Sequence, residues 1–343
     1  MADALRRLGH DVQPFEWHRY VGVGPDAGLS AGGVLRRAQN KYLVGPLVRR
    51  INADLLAMVA AARPDLLFVY RGTHVTRGTL EAIRRATPGT RLVGYNNDDP
   101  FAPGQASWPW RHFIGAIPAY DRMLAYRAHN LQEYAARGAR ATGLLLPWFV
   151  PSVHRPMTLT EDECRRYTCD AVFVGHYEED GRLEALDALV RAGIRVRVYG
   201  PPTGFPGHDW HGPLSRTPAL GPLMPVHMIW DEDYARALSA SRVGLCFLSK
   251  RNRDQYTRRC FEIPATGTLL MSEYSAELAG LYREGTDAEF FRTPGELVEK
   301  VRFYLDRPDA RNAVASSGRE RVHRNGHDVD SRMRTMLAEL ERA

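Results

Sequence analysis

Short apolar runs alternate with amphipathic stretches along most of the chain, and this alternation constrains the fold more than any other feature. Turn residues bound each apolar run, which is the pattern of parallel strands joined by crossover helices. In the first half the pattern predicts strands at 11–16, 65–70, 91–95, 122–126 and 142–146. In the second half it predicts strands at 171–175, 195–199, 243–248, 268–271 and 289–291.

Helical periodicity fills the intervals between these strands. One apolar face is formed by Leu47, Ile51, Leu55, Leu56 and Val59, in a helix that we expect to end near Pro64. Further helices are predicted at 79–86, 181–192, 231–240 and 258–266, with three more at the C-terminus.

A proline-rich stretch, 146–156, interrupts this rhythm and is typical of an interdomain linker. At 343 residues the chain also exceeds what one hydrophobic core usually supports. We therefore predict an α/β protein with two domains, 1–150 and 151–343, each a doubly wound Rossmann-like sheet, that face a cleft. Leu5 and Leu8 suggest a helix with no strand before it, so we expect either an upstream start or a first domain without its first strand.

The net charge of +6 is unevenly distributed along the chain. Residues 1–156 hold 20 Lys and Arg against 11 Asp and Glu, whereas the rest hold 26 against 29. A basic first domain suggests an anionic partner, and we expect peripheral membrane contact there, although a solvated arginine-rich surface explains the charge equally well. No zinc-finger, KH, RRM or basic-region motif organises the arginines, so nucleic acid is not expected.

The cysteines Cys164, Cys169, Cys246 and Cys260 form no C-x2-C pair, and we predict reduced thiols rather than a zinc site or a redox motif. No long apolar run and no secretion signal is found, which predicts a cytoplasmic protein.

The most informative segment is 254–274, where a predicted helix carries Arg259 and Glu262 on one face. A carboxylate can accept hydrogen bonds from both hydroxyls of a ribose, and a guanidinium can hold a diphosphate with two parallel hydrogen bonds. Without further information, an ordinary surface ion pair between the two residues is an equally good interpretation.

The same segment resembles the CgeB-like glycosyltransferases of the spore-maturation family. The resemblance covers most of residues 170–335 and rests on Tyr256-Thr257-x-Arg259-x-Phe261-Glu262-Ile263-Pro264-Ala265, Gly267, Ser272-Glu273-Tyr274, Glu289-Phe290-Phe291, Glu296-Leu297-x-x-Lys300-Val301 and Gly318-x-x-Arg321. That family is similar to the retaining glycosyltransferases of GT-B fold, whose donor site carries two acidic residues separated by seven.

The resemblance implies a nucleotide-sugar site in the C-terminal domain. Glu262 matches the second acidic residue, a ribose contact, and Asp254 stands where the first Glu is expected. Because Asp is shorter than Glu, contact with the sugar and a retaining outcome are only weakly implied. The remaining donor-binding candidates are Gly175, Arg182, Tyr256, Thr257 and Arg259, with Arg259 as the diphosphate partner.

Polar residues follow three predicted strands of the first domain, at the usual ligand edge of a parallel sheet. They suggest catalytic roles for Asp98, Asp99 and His129 and an acceptor-side role for His74, Asn96, Asn97, Arg127 and Asn130. The segment 94–101 also resembles the acceptor-domain motif of the CgeB-like proteins. The alternative is an Asx-rich turn before Pro100 with structural histidines.

These observations predict a hexosyltransferase-like glycosyltransferase that uses a nucleotide-diphosphate sugar as substrate, with no cofactor and no metal, because Arg259 supplies positive charge. The acceptor is a polysaccharide, a lipid-linked glycan or a protein glycan. Two alternatives stay open: a non-catalytic nucleotide-sugar sensor or assembly protein, and an epimerase that needs no acceptor.

Overall fold

The computed structural model of the chain describes residues 1–20, 42–104, 106–205 and 207–342. These residues divide into two compact units, Ala2–Leu146 and Pro147–Ala343, with Met1 grouped with the second. The division falls at the start of the proline-rich segment. Each unit contains its own parallel sheet.

The sheet of the N-terminal unit has four described strands, all parallel and in chain order. They are β1 (Leu66–Tyr70), β2 (Arg91–Asn96), β3 (Arg122–Ala125) and β4 (Thr142–Leu144). The described α-helices are α1 (Ala2–Arg7), α2 (Pro46–Ala62), α3 (Arg77–Ala86), α4 (Arg111–Ala116) and α5 (Ala128–Ala136), and short 3-10 turns lie at Trp17–Tyr20, Trp108–Trp110 and Ile117–Ala119.

Helix α2 shows how the sequence pattern sets local structure. Pro46 occupies its first turn, where the missing N–H costs nothing, and Ile51, Leu55 and Val59 form its buried face. The helix ends at Arg63, which has left-handed backbone geometry, immediately before Pro64.

The strand predicted at 11–16 is wrong. These residues, all of which the structure describes, form no strand. Pro14 has no N–H to donate to a ladder, and only Val12, Phe15 and Glu16 are partly buried, so the segment gains little from pairing with a sheet.

The described residues of the C-terminal unit form a sheet of five parallel strands in the order β6-β5-β7-β8-β9. They are β5 (Cys169–Val174), β6 (Val196–Tyr199), β7 (Ser241–Cys246), β8 (Leu269–Glu273) and β9 (Glu289–Phe291). The helices are α6 (Glu161–Tyr167), α7 (Arg182–Arg191), α8 (His211–Ser215), α9 (Asp231–Ser239), α10 (Arg259–Ala265), α11 (Ala276–Leu281), α12 (Pro294–Asp306), α13 (Pro308–Arg324) and α14 (Val329–Glu341), with a 3-10 turn at Pro218–Leu223.

The strand order of this second sheet creates a topological switch point. The chain leaves β5 to one side to form β6 and returns to the other side to form β7. Ligands of open parallel sheets bind beyond the carboxyl ends of the strands at such a point. The loops after β5 and β7 are therefore where a ligand is expected.

Among the helices that the structure describes, none combines the length and the apolar composition needed to cross a membrane.

Candidate functional site

Arg259 lies at the switch point of the C-terminal sheet. It is the first residue of α10, and its Nε donates a hydrogen bond to the carbonyl oxygen of Val174, the last residue of β5. The guanidinium carbon lies 5.8 Å from the ring centre of Phe173. Gly175 leaves room for this arrangement, since a Cβ at that position would lie 2.9 Å from a terminal nitrogen of Arg259. The structure thus holds a partly exposed cation at the end of β5.

Glu262 is buried one turn further along α10, with 8% of its surface exposed. Its carboxylate accepts a hydrogen bond from the hydroxyl of Tyr234 at 2.9 Å, and the other carboxylate oxygen lies 3.7 Å from Nε2 of His154. Burial raises the pKa of Tyr234, Glu262 raises it further and Arg259 lowers it. Arg259 and Glu262 therefore act on the same neighbour, as expected for two residues of one helical turn.

Arg182 has a different environment from the one that the sequence suggested. Its side chain is 4% exposed and donates to both carboxylate oxygens of Asp180, at 2.7 and 2.5 Å. A third nitrogen donates to the backbone oxygen of His176 at 2.5 Å. Because these contacts occupy the guanidinium, we assign Arg182 to ordering the loop after β5 rather than to a phosphate contact.

The other predicted donor residues divide into buried and partly exposed side chains. Tyr256 is buried against Phe261, and the Thr257 hydroxyl lies 3.4 Å from the sulfur of Cys246. Asp254 is partly exposed in the loop after β7, and its backbone N–H bonds the carbonyl of Ser249. Only Asp254 of these three presents a partly exposed side chain.

The sequence reasoning missed Glu178, which joins the two loops of the switch point. Its carboxylate is 2.6 Å from Nε2 of His176 and accepts a hydrogen bond of 2.6 Å from the hydroxyl of Ser249, beyond β7. Burial by itself raises the pKa of Glu178, but the bonds from His176 and Ser249 and the charge of Arg182 lower it to about 2. The acidic run directly after β5 was the available signal.

In the N-terminal unit, the loops after β1, β2 and β3 meet at one sheet edge. Arg71 has left-handed backbone geometry and lies 2.8 Å from Oδ2 of Asp98, and Arg127 donates to the carbonyl of Asn97 at 3.0 Å. The Arg71–Asp98 pair lacks the alignment of a hydrogen bond. Polar residues that are distant in sequence are thus brought together, as their position after parallel strands suggested.

Asp99 is the centre of this edge and has 0% exposure. Its Oδ1 accepts hydrogen bonds of 3.0 Å from Asn130 and from the backbone of Phe101, and its Oδ2 is 3.2 Å from Nε2 of His129. Asn130 also donates to Glu133 at 2.7 Å. Asp99, His129 and Glu133 offer ligand atoms within 4.8 Å of one another, a spacing that a metal ion can bridge but that hydrogen-bonded acidic groups also show without one.

Three buried amide atoms at this edge have no hydrogen-bond partner among the residues that the structure describes: Nδ2 of Asn96, Oδ1 of Asn97 and Oδ1 of Asn130. Buried polar atoms are almost always paired, so unpaired ones point to a missing partner such as a ligand. A ligand with several hydroxyl groups supplies both donors and acceptors. The unpaired donor and acceptor atoms of these asparagine side chains are therefore suited to binding a carbohydrate.

The side chain of His74 contacts residues outside the Asp99 group. Its ring is 4.3 Å from Trp17 and its Nδ1 is 3.1 Å from the hydroxyl of Thr73. Burial, followed by the charges of His112 and Arg71, lowers the pKa of His74 to about 4. The side chain is therefore a neutral, buried ring at physiological pH.

Comparison with solved structures decides the fold class. HepE of Anabaena, in a complex with UDP and glucose, superposes with a TM-score of 0.62 at 12% identity, over 87% of this chain and 84% of that chain. The chain has the GT-B fold. Sucrose-phosphate synthase from Thermosynechococcus elongatus gives a TM-score of 0.64 at 12% identity, over 89% of this chain and 79% of that one. The trehalose 6-phosphate synthase of Burkholderia multivorans gives 0.59 at 15% identity, over 89% and 75%.

Residues 182–338 of this GT-B chain match the family described as "Glycosyl transferase-like". A search of curated proteins finds no match. The matched range begins at the first residue of α7 and includes Arg259 and Glu262. The α/β fold with parallel sheets predicted from the sequence is confirmed.

Proposed function

We propose that the protein is a glycosyltransferase that transfers a sugar from a nucleotide-diphosphate donor to a hydroxyl group of an acceptor. The observation that carries this proposal is the position of Arg259 and Glu262 at the switch point, inside the range that matches the glycosyl transferase-like family. The HepE structures contain UDP with glucose and UDP-glucose, which supports a nucleotide sugar as the donor here.

In this proposal Arg259 binds the diphosphate. The guanidinium is fixed at the end of β5, so it needs little reorganisation when negative charge develops on the departing diphosphate. Glu262 accepts hydrogen bonds from the ribose hydroxyls, with Tyr234 holding the carboxylate in place. A metal ion and a cofactor are then not required, and the CgeB-like assignment and a retaining outcome belong to the same proposal.

The edge around Asp99 binds the acceptor. The unpartnered amide atoms of Asn96, Asn97 and Asn130 hydrogen-bond acceptor hydroxyls, and the carboxylate–imidazole pair of Asp99 and His129 accepts the proton of the attacking hydroxyl. The proton goes to His129, which is partly exposed, while buried Asp99 orients the ring.

The test is donor binding measured by calorimetry, with UDP, GDP and ADP as probes. We expect Arg259→Gln to weaken the preferred nucleotide by roughly 10-fold to 100-fold, because a charge-assisted bond pair is lost. Arg259→Lys should recover only part of the loss, since an ammonium does not bind two phosphate oxygens in parallel.

Arg258→Gln is the matched control, because Arg258 is the neighbouring residue but stacks 5.3 Å from the ring of Trp148. Equal affinities for wild type and Arg259→Gln would remove Arg259 from the donor site. Tight donor binding with no release of nucleoside diphosphate over time would favour the non-catalytic sensor, and a new sugar isomer formed from donor alone would favour the epimerase.

A further inference from the structure

A cavity lies along the outer edge of the C-terminal sheet. Its volume is about 550 Å³, and its walls come from β6, from α6 with the start of β5, and from the segment 222–227. Its lining contains none of the residues assigned above to donor or acceptor. The volume falls within the range of small-molecule sites, roughly 300–1,000 Å³.

The lining is basic. It contains Arg165, Arg195, Arg197 and His227, and no Asp or Glu among the described lining residues. A cavity whose charged groups are all positive raises the local concentration of negatively charged ligands.

The three arginines differ in how far their charge is already neutralised. Arg195 lies 2.8 Å from Asp170, and Arg165 pairs with acidic residues of its own helix. Arg197 acts on Tyr199, whose pKa it lowers against the effect of burial, and no carboxylate partner is found for it among the residues that the structure describes. Arg197 is thus the arginine whose positive charge is least neutralised and most available to a ligand.

One wall of the cavity is apolar and formed by Pro222, Leu223 and Pro225. The lining also includes Thr168 and Tyr199, two residues with hydroxyl groups. A ligand that fills this space has a negatively charged end and a compact uncharged body.

We propose that this cavity binds a small phosphate monoester. Phosphate matches the lining better than carboxylate does, because a dianion with three acceptor oxygens can use two guanidinium groups at once. Arg197 holds the phosphate, assisted by Nη1 of Arg195, whose Nε and Nη2 donate to Asp170. The Pro222–Pro225 segment contacts the organic body. The site is separate from the proposed donor site and does not depend on the transferase proposal.

Cys164 gives a local readout of occupancy. It lines the cavity and is the exposed one of the four cysteines, whereas Cys169, Cys246 and Cys260 are buried. The experiment measures the rate at which iodoacetamide alkylates Cys164 in the full chain, by mass spectrometry, with increasing phenyl phosphate. We expect phenyl phosphate to slow alkylation at low salt, and Arg197→Gln to raise the half-protecting concentration at least tenfold.

Three control measurements locate the protection in this cavity. Arg324→Gln makes the same change of charge at an exposed position of α13 and should leave protection unchanged. Arg259→Gln should also leave it unchanged, so that failure of the donor proposal and failure of this one are distinguishable. Phenol, which lacks the phosphate, should give no protection.

Three results would overturn the proposal. The first is no protection of the wild type by phenyl phosphate, and the second is equal protection of wild type and Arg197→Gln. The third is protection by phosphatidylglycerol vesicles but not by phenyl phosphate, which would identify the basic cavity as a lipid-headgroup contact instead.

Discussion

The sheet edges of the two units use polar residues in opposite ways. In the N-terminal unit the carboxylate of Asp99 is buried and paired, whereas one amide atom each of Asn96, Asn97 and Asn130 lacks a partner within the described part of the chain. In the C-terminal unit the carboxylates are satisfied within the protein, and the cation Arg259 is partly exposed. The first arrangement suits a neutral ligand rich in hydroxyl groups, and the second suits an anion.

The two edges differ because different charged groups are paired within the protein at each of them. In the C-terminal unit Arg182 pairs with Asp180 and also lies 3.8 Å from Glu178, so this cation offsets part of the negative charge that would repel a phosphate. At the N-terminal edge Arg71 pairs with Asp98 and Arg127 donates to the carbonyl of Asn97, which leaves side-chain amide groups available to a ligand. The predictions below test whether this division is real.

Asp99→Asn should have the largest effect. The substitution keeps the shape of the side chain but removes the charge that orients His129, so we expect release of nucleoside diphosphate from the preferred donor to slow by roughly 10²-fold to 10⁴-fold. Donor affinity, measured by calorimetry, should stay the same.

Asp98→Asn is the comparison for that experiment, because Asp98 pairs with Arg71 and has a more exposed side chain, 22% against 0% for Asp99. We expect a smaller loss of turnover for this variant. A weaker donor affinity in Asp99→Asn would contradict the division of labour between the two edges.

Arg182→Met tests whether the second arginine of the C-terminal edge is structural. Removing it leaves Asp180 buried without its partner, and we expect the free energy of unfolding to fall by about 3 kcal/mol in urea titrations. The double variant Arg182→Met/Asp180→Leu should regain part of that stability. Full stability of Arg182→Met combined with lost donor affinity would instead place Arg182 in the donor site.

The sequence predicted the strands well, because buried parallel strands are short apolar runs between turn residues. It also predicted that Asp99 lies at the ligand edge of its sheet, because Asp99 directly follows a predicted strand. The role of Arg259 was predicted from its place on one helix face with Glu262 and from the family resemblance, and it stays a prediction. It failed at 11–16, where the apolar residues are too few to bury a strand. The ion pair between Arg182 and Asp180 could not be predicted, because an arginine two residues after an aspartate can bind either a ligand or that aspartate.

The buried His74 predicts an acid-sensitive N-terminal unit. Its pKa is lowered from 6.5 to about 4 by burial, so between these values the unfolded chain binds a proton that the folded chain does not. Stability should therefore fall as the pH drops from about 6.5 to 4. In His74→Gln this loss should be smaller, by at most about 3 kcal/mol, in urea titrations at neutral pH and near pH 4.

His327 is the counterpart of His74 in the C-terminal unit, with a pKa that burial lowers to about 3. His327→Gln should therefore reduce acid sensitivity of that unit while leaving the N-terminal unit unchanged, as hydrogen exchange would show. The idea fails if His74→Gln and wild type lose equal stability on acidification.

Gly175→Ala should have the smallest effect, and it tests the placement of Arg259 directly. The new methyl group would lie 2.7 Å from the Phe173 ring and 2.9 Å from Arg259, so the guanidinium must move away from the end of β5. We expect donor affinity to fall by roughly threefold to tenfold, equivalent to about 1 kcal/mol.

Gly280→Ala is the matched control, because a Cβ there meets no atom within 4 Å. It should leave donor affinity unchanged. Gly200→Ala is the opposite case: its Cβ would lie 2.1 Å from the backbone oxygen of Gly175, which no side-chain movement relieves, so that variant should lose stability rather than affinity alone. Equal donor affinity of Gly175→Ala and Gly280→Ala would show that the position of Arg259 beside Gly175 does not matter for donor binding. The contrast between the two sheet edges would then fail, because it depends on Arg259 as the ligand-binding cation of the C-terminal edge.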